Sequence, residues 1–145
     1  MKTSSKLPVC LALLAAVLLA ACAGTRGIEV KDAWVRSSAM MDRAGAAYLV
    51  ITNGGAEADQ LLSVSSDVAA VIELHESREV DGMMTMAPVP AIAVPANGQT
   101  ELAPGGLHIM LIDLTRELTP GEPVTLNLTF EKAGAITVTA SVRAD

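Results

Sequence analysis

The runs Thr125-Leu-Asn-Leu-Thr-Phe130 and Ile136-Thr-Val-Thr-Ala-Ser-Val142 decide the fold class of this chain. Apolar and polar residues alternate along both runs, which places every second side chain on the same face of an extended strand. Ala133-Gly134, between the two runs, is typical of a turn. The pair therefore predicts two half-buried antiparallel strands.

Similar short runs, separated by Gly, Pro, Asn and Asp, occupy the chain upstream of this pair. Many short strands with frequent turns are typical of a β-sandwich, and no stretch indicates a long helix. The sequence therefore predicts a single all-β domain over residues 28–145, an antiparallel β-sandwich. We predict its strands at 28–35, 46–52, 60–63, 71–77, 83–88, 100–102, 108–112, 124–130 and 136–142.

The first 21 residues have the features of a secretory signal. Lys2 and Lys6 precede an apolar run over 9–21 that is shorter than the ~20 residues needed to span a bilayer. The run ends in Leu19-Ala-Ala-Cys22, which resembles a bacterial lipobox and implies cleavage before Cys22 and lipidation of its sulfur. An ordinary signal peptide cut nearby is the alternative. We expect a lipid anchor and linker over 22–27, and attachment to a membrane through the lipid.

Charge and cysteine content narrow the function classes. Without Lys2 and Lys6, eight of the ten basic residues remain against sixteen acidic ones. Such a chain repels nucleic acid and weakly attracts cations, so we expect no nucleic-acid partner. Cys10 is removed with the signal, so the mature chain keeps only Cys22 and forms no intrachain disulfide.

Two histidines and two methionines carry the strongest functional signal. His75 and His108 are the only histidines of the chain. Ten residues separate His75 from Met86, and one residue separates His108 from Met110. On a strand, residues i and i+2 share a face, so His108 and Met110 point away from the face that Ile109 contributes to the core.

The first His and Met are related by a hairpin. Asp81-Gly82 is a strong signal for a two-residue turn. With that turn, Val80 faces Met83 and Ser77 faces Met86, so His75 and Met86 lie diagonally on one face. Met84 shares that face. Met83 points to the other face, where we expect it to be core filler, as we also expect of the single tryptophan, Trp34.

The chemistry of these side chains selects the metal. Thioether sulfur is soft and uncharged and suits Cu(I) far better than zinc, magnesium or calcium, whereas imidazole binds copper in either oxidation state. A blue-copper electron-transfer site is excluded because the folded domain has no cysteine thiolate. We therefore predict one Cu(I) ion per chain, bound by His75, Met86, His108 and Met110.

The spacing of these four residues, and the sequence around them, resembles the PCuAC (DUF461) family of periplasmic Cu(I) chaperones. The resemblance is carried by Glu73-Leu-His-Glu76, Asp81-Gly-Met-Met84, Pro104-Gly-Gly-Leu-His-Ile-Met110, Asp32-Ala-Trp-Val-Arg36 and Gly45-Ala-Ala-Tyr48. It covers nearly the whole mature chain.

The resemblance implies a cupredoxin-like sandwich of Greek-key type and His75, Met86, His108 and Met110 as ligands. It further implies a periplasmic carrier that delivers copper to cytochrome c oxidase assembly, to an oxidase subunit, a Sco-type protein or both. We expect the carrier to be a monomer that catalyses no reaction.

Three further methionines are candidate auxiliary ligands: Met84 on the hairpin, and Met40 and Met41 in the loop between the first two strands. Two other functions remain open. One is a β-sandwich envelope lipoprotein that binds no metal and acts as an interaction module. The other is a zinc-dependent hydrolase that uses both histidines and Glu73, although this leaves the methionines without a role.

Overall fold

The computed structural model of the chain describes residues 27–38 and 44–144. The signal, Cys22, Met40 and Met41 lie outside these residues. No helix within the described ranges is long and apolar enough to cross a membrane. The described residues form ten strands: β1 (Ile28–Arg36), β2 (Gly45–Asn53), β3 (Asp59–Ser65), β4 (Ala69–Val80), β5 (Met83–Pro88), β6 (Ile92–Val94), β7 (Gly98–Leu102), β8 (Leu107–Leu114), β9 (Pro123–Phe130) and β10 (Gly134–Arg143).

Hydrogen bonds connect the strands into one path that folds over a common core. The order is β5-β4-β8-β2-β1-β10-β9-β3-β6, and β7 pairs with the second half of β2 beside β8. Buried side chains from both halves of the path form a single cluster. The predicted all-β, cupredoxin-like sandwich is confirmed. Neighbours that are distant in sequence, such as β4 with β8 and β3 with β9, show the crossovers of a Greek-key arrangement.

The alternating run that predicts the fold class behaves as expected. On β9 every second residue is buried and the residues between are exposed. Val124, Leu126, Leu128 and Phe130 are each no more than 2% exposed. Burial of one such side chain contributes roughly 1.5–3 kcal/mol, so this face of β9 stabilises the sandwich substantially.

The structure differs from the sequence prediction in three places. β1 pairs with β10 in parallel over Trp34–Arg36, whereas every other pairing of named strands is antiparallel. The short strand β6 was not predicted. Trp34 is only half-buried and does not belong to the core cluster, so its expected core role is wrong. A bulge between Lys31 and Trp34, with Asp32 at φ 52°, shifts the register of β1 at this point.

The carboxylate of Asp59 ties β3 to the turn between β9 and β10. Its two oxygens accept hydrogen bonds from the backbone N–H groups of Gln60 (2.8 Å), Lys132 (2.9 Å) and Ala133 (2.9 Å). Burial alone raises the pKa of this carboxyl. The three N–H donors and the charge of Lys132 outweigh burial, so the pKa of Asp59 is held below its usual value.

We therefore expect Asp59→Asn to lower the free energy of unfolding by about 1–3 kcal/mol at neutral pH, because an amide cannot satisfy the same donors. A group with a lowered folded pKa stabilises above its unfolded pKa, and this contribution disappears as the pH falls through the folded pKa. Urea unfolding at a series of pH values should thus show the variant and the wild type converging below about pH 4. Asp67→Asn, at an exposed aspartate, is the control. Equal loss in both variants at neutral pH contradicts this role of Asp59.

Candidate metal centre

A line of four rings crosses the sheet on the face opposite the core. The register places Trp34 opposite Tyr48 and His75 opposite His108, and the pairing of Ala47 with Ile109 brings Tyr48 beside His108. Ring centroids are 4.5 Å apart for Trp34 and Tyr48, 6.5 Å for Tyr48 and His108, and 5.8 Å for the two histidines. Strands β1, β2, β8 and β4 thus bring both histidines together at the end of one aromatic row.

Core packing fixes the face on which the histidines lie. Leu74 and Ile109 are paired across β4 and β8 and are buried in the core. Their chain neighbours His75 and His108 therefore project to the other side of the sheet. Even there they are buried, with exposures of 8% and 4%. Buried histidines on a non-core face need polar partners, and each ring has one.

The ring of His108 is oriented by a turn. Nδ1 of His108 donates to the carbonyl oxygen of Gly106 at 3.0 Å, and the backbone N–H of Ser77 donates to the same oxygen at 3.0 Å. Pro104 and Gly105 hold this carbonyl in place, since Gly105 has φ 84° and Gly106 N–H donates back to Ala103, as in a type II turn. Nε2 of His108 is left with the lone pair that a metal needs.

The ring of His75 is oriented by a carboxylate on its own strand. Glu73 and His75 share a face of β4, and Nε2 of His75 lies 2.8 Å from Oε2 of Glu73. A carboxylate can only accept, so the proton of this bond belongs to Nε2. Nδ1 of His75 is buried and has no hydrogen-bond partner among the described residues. Buried polar atoms in folded proteins almost always have a partner, so this nitrogen is a candidate metal-binding atom.

The two methionines lie beside these rings, closer to solvent. Met110 stands two residues from His108 on β8 and is half-buried. Met86 on β5 pairs with Ser77, one position diagonal to His75, and is 54% exposed. The predicted hairpin register is thereby confirmed. Asp81 and Gly82 have φ values of 53° and 79°, as a type I′ turn requires.

A pocket of about 240 Å³ opens over this face. Met86, His108 and Met110 line it together with Tyr48 and Arg36, and the small residues 44–46 leave it room. The guanidinium of Arg36 lies 5.7 Å from the centre of the Tyr48 ring. His75 is not among the residues that line the pocket, but its ring adjoins that of His108, with centroids 5.8 Å apart. Three of the four predicted ligands therefore share the pocket, and the fourth adjoins it.

The two other methionines of β5, Met84 and Met83, lie on opposite faces of the strand and are both exposed. Met84 lies on the face of Met86, one step closer to the turn, and is 61% exposed. Met83 lies on the opposite face as expected, but it is 68% exposed, so its assignment as core filler is wrong. The reason is that β5 is an edge strand with all six residues exposed, and nothing in the described structure covers either of its faces.

Three features of the site were not recognised from the sequence. They are the hydrogen bond of Glu73 to His75, the packing of Tyr48 beside His108, and the position of Arg36 over the Tyr48 ring. The first was detectable, since residues i and i+2 of a strand share a face. The other two depend on pairings between distant strands and have no local signal.

The arrangement offers two imidazole nitrogens and two thioethers, a donor set that suits a soft cation. Within the described ranges there is no group of three or more His, Cys, Asp and Glu side chains arranged to hold a metal. The histidines are held rigidly, whereas Met86 is largely open to solvent. Such a site can bind an ion and still exchange one ligand with an incoming partner.

Comparisons with known proteins agree with this picture. The family model described as "Putative lipoprotein LpqE-like" matches residues 28–142. The protein "Putative lipoprotein Lxx21020" of Leifsonia xyli subsp. xyli is 31% identical over 118 residues, which cover 81% of this chain and 70% of that protein.

Two solved structures are similar over most of their length. The copper-bound PCuAC domain from PmoF2 has a TM-score of 0.68 at 25% identity and covers 81% of this chain and 93% of that one. The solution structure of CuI-DR1885 from Deinococcus radiodurans has a TM-score of 0.65 at 29% identity and covers 83% of both chains. The chain therefore belongs to the LpqE-like family, which is the PCuAC (DUF461) family.

Proposed function

We propose that this protein is a Cu(I) carrier that binds one ion through His75, Met86, His108 and Met110 and hands it to an acceptor. The observation that carries the proposal is the pair of adjacent buried imidazoles, each with one nitrogen hydrogen-bonded and the other left for a metal. The thioethers beside them make Cu(I) the preferred ion. The similarity to the copper-bound PCuAC domain from PmoF2 and to CuI-DR1885 supports the proposal.

Transfer follows from the unequal exposure of the ligands. His75 and His108 are buried and fixed by hydrogen bonds, so they retain the ion while other ligands change. Met86 is exposed on an edge strand and can be replaced by a donor atom of the acceptor with little rearrangement. Met84, one step further toward the hairpin turn, would act as an auxiliary ligand during entry or exit. Met40 and Met41 are candidates for the same role.

The N-terminal sequence and a related lipoprotein support a location for this carrier outside the cytoplasm. The chain would be exported to the periplasm, cleaved before Cys22 and anchored to a membrane by lipid on that residue. A relative named as a lipoprotein supports this anchor. The acceptor would be the assembly system of cytochrome c oxidase, either an oxidase subunit or a Sco-type protein. The carrier would work as a monomer and catalyse no reaction itself.

Replacing both methionine ligands tests the donor set. We expect Met86→Leu combined with Met110→Leu to weaken Cu(I) binding far more than Cu(II) binding, because leucine keeps the volume and removes only the soft sulfur. The measurement is competition for copper against a chelator of known affinity, for each oxidation state. Met83→Leu is the matched control, since it lies on the same strand but faces away from the site. An equal loss for both ions contradicts the thioether assignment.

Copper should also stabilise the fold. Free Cu(I) at a hundred times Kd is expected to raise the free energy of unfolding by about 2.7 kcal/mol, because it binds only the folded state. The increment should vanish in His75→Ala combined with His108→Ala, whatever the stability of that variant without metal. Chemical unfolding with and without metal measures it.

The same titration separates the alternative functions. Stabilisation by Zn(II) that does not depend on Met86 and Met110 favours a zinc enzyme. No stabilisation by either metal favours an interaction module that binds no metal.

A further inference from the structure

The two histidines of the site are held through different ring nitrogens. In His108 the nitrogen nearer the backbone, Nδ1, donates to the Gly106 carbonyl. In His75 the far nitrogen, Nε2, donates to the Glu73 carboxylate. A neutral imidazole has one N–H and one lone pair, so the lone pairs of the two rings are on opposite kinds of nitrogen.

The burial of the remaining atom supports this assignment for His75. Nδ1 is buried and has no hydrogen-bond partner among the described residues. The whole side chain is only 10% exposed, so bulk water does not readily serve as that partner. If the ring were turned so that Nε2 served the metal, the hydrogen bond to Glu73 would be lost. The observed orientation therefore satisfies Nε2 and leaves Nδ1 for an ion.

Glu73 is well placed to enforce the orientation. It lies two residues before His75 on the same face of β4, and the register sets it opposite Met110 on β8. Cross-strand neighbours of this kind have Cβ atoms about 4.5–5.5 Å apart, so Glu73 adjoins Met110 as well as His75. Its hard oxygen is a poor ligand for Cu(I), whereas an imidazole N–H is a good partner for it.

We propose that Glu73 is a positioning residue of the copper site: it holds the proton of His75 on Nε2, so that His75 binds copper through Nδ1 while His108 binds through Nε2. The inference rests on the proposed copper site and specifies how that site is built. Nδ1 is bonded to Cγ, the ring carbon that is attached to Cβ. A metal bound at Nδ1 therefore lies closer to the backbone of β4 than one bound at Nε2. The negative charge of Glu73 also offsets the charge of the ion.

Histidine ring nitrogens can be observed directly by two-bond ¹H–¹⁵N NMR of the full-length protein in detergent at about pH 8, where an ordinary imidazole is neutral. Without metal, we expect His75 to show a protonated Nε2 and His108 a protonated Nδ1. On addition of one equivalent of Cu(I) under reducing conditions, the large shifts should fall on Nδ1 of His75 and Nε2 of His108.

Variants of Glu73 measure its contribution. Glu73→Ala removes the acceptor and should weaken Cu(I) binding about 10–100-fold, the usual cost of losing a group that orients a metal-bound histidine. Glu73→Gln removes the charge and offers an NH2 donor as well as an oxygen, so it no longer dictates the tautomer of His75 and should also weaken Cu(I) binding. Glu79→Ala removes the same charge from an exposed position on the same face of β4 and is the matched control.

The outcomes separate this inference from the proposed function. If the wild type binds one Cu(I) but the shift falls on Nε2 of His75, the positioning role of Glu73 is wrong and the carrier function stands. Equal affinity in Glu73→Ala and Glu79→Ala also overturns the role. If Glu73→Ala fails to fold, the wild-type spectrum without metal decides, because a protonated Nδ1 of His75 there contradicts the inference. No binding of Cu(I) by the wild type overturns the proposed function itself.

Discussion

The candidate site depends on the pairing of β4 with β8. This antiparallel ladder sets His75 directly opposite His108, and Leu74 opposite Ile109 on the other face. A slip of one residue in either strand would move its histidine into the core and its core residue to the outside. The buried pair therefore fixes the register, and the register creates the site. The same register of β4 and β8 determines both the hydrophobic core on one face and the candidate metal site on the other.

The outer face of the sheet combines rigidity with access. Its histidines are buried and hydrogen-bonded to groups with defined geometry, the Gly106 carbonyl in its turn and the Glu73 carboxylate on the strand. Its methionines stand at increasing distance from the core, with Met86 on an edge strand that no other strand covers in the described structure. A carrier needs this combination, because firm binding and rapid release make opposite demands on the same ligands.

Much of this could be predicted from local sequence. Alternation identified β9 and β10, the Asp81-Gly82 turn gave the hairpin register, and strand parity put His75 and Met86 on one face. The parallel contact of β1 with β10 could not be predicted in this way, since it joins segments about a hundred residues apart with no local pattern. Trp34 shows the same difficulty: a large aromatic residue suggests a core, but here its ring packs on Tyr48 in the row that leads to His108.

Edge position explains the remaining error. Met83 alternates correctly with its neighbours, yet strand parity says only which face a side chain takes and not whether that face is covered. Coverage depends on where β5 lies in the sheet, and it lies at the end of the path. The contact of Glu73 with the buried His75 has a local cause instead, because residues i and i+2 of one strand share a face.

X-ray absorption at the copper edge of the full-length protein, loaded with one equivalent of Cu(I), tests the account most directly. The ligand assignment predicts a first shell that contains both nitrogen and sulfur, with the sulfur contribution absent when Met86 and Met110 are both leucine. A shell of nitrogen and oxygen alone in the wild-type protein would contradict a site built from His75, Met86, His108 and Met110.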